Sequence, residues 1–104
     1  MDIQHEIGVL RNMRFAVADR NAEIAQHELD ARTLKATLIA EKQAAGALKV
    51  ASETEAKLDP RYLDHERTRI AMEKVRDIEL GKAECQRLYV LAEIARHSMA
   101  GVEV

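Results

Sequence analysis

From Ile3 onward an aliphatic residue recurs at every seventh position: Ile3, Leu10, Val17, Ile24, Ala31, Leu38 and Ala45, without a miss. A seven-residue period returns to one face of an α-helix every two turns. Kept up over this length, it holds that face against a partner helix only if the helices supercoil left-handed. Strands cannot use the period, because their faces alternate at every residue. The companion positions are less regular. Ile7, Met13, Leu34 and Leu48 are apolar, but Arg14, Asn21, Glu28 and Lys35 stand four residues after the stripe. The seam therefore reads as narrow, with alanines allowing close approach. The pattern predicts a first helix over about residues 2–50, with Asp2 capping its start.

The end of that helix is marked by competing signals. Gly46 interrupts an Ala-rich stretch and disfavours helix by roughly 1 kcal/mol relative to alanine. Ser52 with Glu55 three residues later has the pattern of a capping box. The helix is expected to break near Lys49 and to restart as a short turn through Lys57, within a connector over about residues 51–59; a helix continuous through Gly46 to Leu58 is the competing reading. Asp59-Pro60 then opens the second helix. An oxygen-bearing cap precedes a proline at the first helical position, where its missing N–H costs nothing. Proline also holds Asp59 out of the helical region. The second helix is predicted over about residues 60–100, with Gly101 as its stop.

The second helix carries its own seven-residue stripe: Ala71, Ile78, Cys85, Ala92 and Met99, widened by Val75, Leu88, Tyr89, Ala95 and Val102. Near its end Leu88, Tyr89, Val90, Leu91, Ala92, Ile94 and Ala95 cover most of the circumference, and Leu80, Leu91 and Ile94 lie off the main stripe. A helix apolar nearly all round is expected to be buried nearly all round. One partner helix covers one stripe only. The expectation is an all-α antiparallel helical hairpin, a single domain over residues 1–104, that oligomerises into a helical bundle, a dimer at least. Leu80, Leu88, Leu91 and Ile94 are its expected oligomer interface.

Composition narrows the function classes. Hydrophobic residues make up 47% and charged residues 33%, which excludes a disordered tail, and aromatics are only 3%, which suits long helices over a sheet. The longest apolar run, Leu88–Ala92, is far short of a membrane span. The first residues, with acids at Asp2 and Glu6, do not read as a signal peptide. Cys85 is the only cysteine, so no intrachain disulfide forms; a cytoplasmic setting is expected. The formal net charge is -2. Basic and acidic residues interleave throughout, so nucleic acid is a poor partner, which would want a concentrated basic face.

Motifs for chemistry are sparse. His5, His27, His65 and His97 occur without a Glu-x-x-His or His-Glu-x-x-His pattern, so no metal site and no cofactor is expected. Cys85 falls on the second stripe and reads as a small buried hydrophobe rather than a nucleophile. The one concentration of cationic groups is Arg61, Arg67, Arg69, Lys74 and Arg76, with Tyr62 beside them. Arg61, Tyr62, Arg67, Arg69 and Arg76 are the candidate ligand- or partner-binding residues, able to meet an anion such as a nucleotide or an acidic protein surface. Asp64, Glu66, Glu73, Asp77 and Glu79 are interleaved among them and favour a solvated, self-neutralised face.

Leu10-Arg11 on the first helix and Asp64-x-Glu66-Arg67 after a proline resemble the chorismate mutases, small helical dimers built on a long first helix. The resemblance covers about a dozen residues and implies a fold rather than a function. That family's second first-helix arginine would fall near Glu28 and its second-helix lysine near Ile39, which removes the cationic cage its chemistry needs. The sequence thus reads as non-enzymatic: an oligomeric adaptor or inhibitor of a protein partner, of the kind found among phage and mobile-element accessory proteins. A carrier of a small anionic ligand between protomers is the alternative.

Overall fold

Among the described residues the helical runs of this protein are interrupted around Gly46 and at Asp59, and each break has a local cause. A computed structural model describes the backbone of residues 2–103 and the side chains of residues 2–99. Three helices follow one another: α1 (Ile3–Ala44), α2 (Lys49–Leu58) and α3 (Pro60–Glu103), with no strand among the described residues. The chain is all-α.

α1 begins as its first residues direct. Asp2 Oδ1 accepts from the Gln4 N–H at 3.0 Å, and the Asp2 carbonyl accepts from Glu6. α1 stops at Ala44, short of residue 50. Gly46 adopts a positive φ of 98°, and the backbone closes around it in a Schellman turn. Its N–H donates to the Gln43 carbonyl and that of Ala47 to the Lys42 carbonyl, at 3.0 and 3.1 Å. Glycine is thus the terminator here, and the break falls several residues before Lys49.

α2 occupies most of the expected connector. It starts at Lys49 with Leu48 as its cap and no side-chain hydrogen bond there. Ser52 is therefore inside the helix rather than at its cap. It is fully buried, and its hydroxyl donates back to the Lys49 carbonyl at 2.7 Å. Such back-bonding satisfies a buried hydroxyl where no capping site exists. α3 starts as Asp59-Pro60 predicts: Asp59 is extended (φ -63°, ψ 133°), its carbonyl accepts from Leu63, and its Oδ1 accepts from the Arg61 N–H at 2.9 Å. At the other end α3 runs through Gly101 to Glu103, so that glycine is no stop. The Val102 side chain lies outside the described residues.

The described chain divides into two units. Unit 1 joins α1 as far as Arg20 to α3 from Val75; unit 2 runs from Asn21 to Lys74. In unit 1 the buried apolar residues are Leu10 and Val17 of α1 with Ala83 and Val90 of α3. In unit 2 they are Ile24, Ala31 and Leu38 of α1 with Ala56 of α2. The five buried residues of α1 are consecutive members of its seven-residue stripe, so that stripe is the seam.

α3 meets the seam with a different face from the expected one. Its more protected positions in unit 1 include Arg76, Glu79, Ala83, Gln86, Val90 and Glu93, with Arg87 beside them; in unit 2 they include Tyr62, His65, Arg69 and Met72. Ile78, Leu88 and Met99 are instead 59%, 53% and 65% exposed, and Cys85 and Ala92 are exposed with them. The expected stripe therefore lies on the far side of α3, about half a turn away at 100° per residue. The physical reason is on α1. Three residues after each stripe position stand Glu6, Met13, Arg20, His27 and Leu34, all partly buried. Three of these five are polar and must be answered by hydrogen bonds. In unit 1 Gln86 donates to Glu6 Oε2 at 2.7 Å and Arg20 Nε donates to Glu79 Oε1 at 3.2 Å. In unit 2 the rings of His27 and His65 stack 3.7 Å apart, and each ring Nε2–H donates to the other residue's carbonyl, at 2.7 and 3.1 Å. The polar side of α3 supplies these partners; its apolar side could not.

Candidate functional site

The cationic run at the start of α3 is distributed among separate local tasks. Arg61 belongs to the corner between α2 and α3. Its Nε and Nη2 donate to Asp59 at 3.1 and 3.2 Å, and Nη2 also reaches Glu41 of α1 at 2.8 Å. Lys42 of α1 stands 3.4 Å from Asp59. The Arg61 hydrogen bonds hold the Asp59 carboxyl far below the usual carboxylate range, with Lys42 adding to the effect, and Asp59 and Glu41 in turn hold the Arg61 guanidinium more firmly protonated. The punctuation of the sequence at 57–61 is thus a structural joint, and its arginine is occupied.

Arg67 pairs with Asp64 on the exposed surface, and Arg76 with Asp77. Arg69 lies between Glu66 and Glu73, at 2.8 and 2.9 Å, and those two acids raise its pKa. Charges answered in this way by neighbours on the same helix contribute little field at a distance. Of the candidate binding residues, Tyr62 and Arg69 are brought together at a cavity. It is an open cleft of about 300 Å3 in unit 2, lined by Glu28, Ala31, Arg32 and Lys35 of α1 with Tyr62, Glu66 and Arg69 of α3. Arg32 and Lys35 sit on the α1 rim at positions that the linear charge pattern of α3 could not single out. Among the described residues neither has an ion pair. Glu28 and Glu66 offset part of their charge. The cleft is suited to a planar or anionic group of modest size, held by two cations beside a phenol.

The expected interface residues lie on α3 in unit 1. Leu80, Leu88, Leu91 and Ile94 are 46%, 53%, 48% and 41% exposed. Of the apolar residues that wrap α3 near its end, Val90 alone is buried. Leu88 shares the outer face with Ile78, Cys85, Ala92 and Met99, while Leu80 and Ile94 flank the face turned to α1. Cys85 is exposed, so the expectation of a buried hydrophobe is overturned: it follows the stripe, and the stripe faces out. The outer face of α3 in unit 1 is thus an exposed apolar row.

Among the described residues no three His, Cys, Asp or Glu side chains gather at metal-binding distance, and no helix is long and apolar enough to cross a membrane. Comparison with known protein families, with curated proteins and with solved structures found no match for this chain.

Proposed function

We propose that this protein works by binding: a helical hairpin that associates with copies of itself through the outer face of α3 and serves, in that form, as a non-enzymatic cytoplasmic adaptor or inhibitor of a protein partner. The observation that carries the reading is the exposed row Ile78, Cys85, Leu88, Ala92 and Met99, with Leu91 at its edge. Burying a Leu or Ile side chain is worth about 1.5–3 kcal/mol, so covering this row repays association several times over before its entropic cost. The exposed Ala44 and Ala45, at the break beside Gly46, offer a second small-residue surface on which a partner helix could lie.

The test is a light-scattering mass across a dilution series. The expected result is twice the chain mass at high concentration, falling toward one chain on dilution, with Leu88→Asp monomeric throughout and still helical by circular dichroism. A wild-type chain that stays single at the highest concentration overturns the reading.

The cleft of unit 2 favours a second reading, a small anionic ligand held by Arg32, Lys35, Tyr62 and Arg69. A panel of nucleotides would raise the melting temperature in proportion to the logarithm of ligand concentration, and Lys35→Ala with Arg32→Ala would abolish the rise. A flat response across the panel removes this reading.

A further inference from the structure

We infer that two copies of this chain meet with their α3 helices parallel and in register along the outer face of unit 1. The inference rests on the self-association proposed above and adds its orientation.

The outer stripe Ile78, Cys85, Ala92, Met99 keeps the seven-residue period of a two-stranded seam. Its companion positions three residues on are Gly81, Leu88 and Ala95. A Cβ placed on Gly81 would touch nothing, so the small side of this seam is open in the single chain and lets a second helix come close.

The flanks of the stripe carry opposite charge. Lys82 and Arg96, with Tyr89 between them, stand four residues after the stripe positions; Asp77 and Glu84 stand one residue before them. All are exposed. Parallel helices bring each flank against the opposite flank of the other copy, residue i against residue i+5. Asp77 then meets Lys82 of the second copy, twice by symmetry, and Glu84 meets the Tyr89 hydroxyl. Antiparallel helices bring like flanks together, setting Lys82 beside Arg96 of the second copy. Asp77 and Glu84 are already paired with Arg76 and Arg87 on their own helix, at exposed positions. A carboxylate keeps acceptor sites beyond one such bond, so those pairs leave room for the second.

Cys85 makes the orientation measurable. Three forms are compared: the natural chain, and Ile78→Cys and Ala92→Cys, each with Cys85→Ser. Positions 78 and 92 are about 21 Å apart along a helix. An antiparallel pair can set only one such position against its own copy. The reagent is diamide: two thiols give up two protons and two electrons to its N=N bond, which becomes the hydrazine, and one S–S bond forms. At low micromolar protein, each of the three forms is expected to shift largely to the dimer band on a non-reducing gel. Cross-linking at one position alone, or at none, while the light-scattering mass remains that of a dimer, overturns the parallel register and leaves self-association standing. A single-chain mass overturns both. Charge exchange gives an independent reading. Asp77→Lys and Lys82→Asp should each raise the dimer dissociation constant several-fold, and the double exchange should recover it; a double variant no tighter than the singles overturns the assignment.

Discussion

α1 and α3 both repeat an aliphatic residue every seven positions, yet the two repeats are put to opposite uses. Leu10, Val17, Ile24, Ala31 and Leu38 are the driest side chains of α1, whereas Ile78 and Met99 of α3 are among the most exposed. Periodicity alone therefore tells that a face is apolar, not that it is the face packed inward. The cover for α1 comes from within the chain. On α3 the inward direction was claimed by Gln86, Glu79 and His65, because Glu6, Arg20 and His27 on the opposite helix needed polar partners. An unanswered polar group in a seam costs more than an aliphatic residue left in water.

Matched truncations should break this comparison most sharply. Leu38→Ala removes a side chain with no exposure at all and is expected to cost about 3 kcal/mol in urea unfolding. Leu88→Ala, measured in dilute single chains, should stay within about 0.5 kcal/mol of wild type and should instead weaken self-association. Equal costs at the two sites would mean that the stripes are not different in kind.

Acid should act on the corner next. Asp59 has a folded pKa depressed by Arg61, so its contribution is fully present above the ordinary carboxylate range and is lost as the pH falls below about 4. Asp59→Asn keeps an oxygen for the Arg61 N–H and loses the charge. A melting-temperature profile against pH should therefore flatten over the acid limb in that variant, while remaining lower at neutral pH.

Gly46→Ala comes third, at about 1 kcal/mol. Nothing lies within 4 Å of the added methyl, so the whole cost would come from its φ of 98°; a crystal structure or thermal melt showing an unstrained alanine there would undo the terminator assignment. Smallest is the reactivity of Cys85. In dilute protein its exposed thiol should react readily with a disulfide reagent, and the reaction should slow as concentration rises and the outer face becomes covered.

Much of the architecture was legible in the residues. The α1 stripe, the Asp2 cap and the Asp59-Pro60 helix start each depend on local chemistry, and local chemistry is written in order along the chain. Gly46 was legible as a weak point but not as the stop, because Ser52 and Glu55 offered a capping pattern that the fold does not use. The facing side of α3 was not legible. Its apolar stripe outweighs its polar one in any tally of hydrophobicity, and only the pairing of specific groups, such as Arg20 with Glu79, reverses the choice. The cleft was half legible: Tyr62 and Arg69 stood in the cationic run, but Arg32 and Lys35 are some thirty residues earlier and join them only through folding.

The crossed histidines of unit 2 have a consequence of their own. A regular aliphatic seam is nearly indifferent to sliding by one repeat, since each knob finds a similar hole seven residues along. His27 and His65 remove that indifference. Both carbonyls only accept, so both rings must carry their proton on Nε2, and each ring is anchored to the other helix's backbone. Moving α3 by seven residues would set His27 against Met72 and His65 against Leu34, and would part the two stacked rings. The two imidazoles thus act as an index mark, selecting one alignment from a set that greasy contacts alone would leave degenerate.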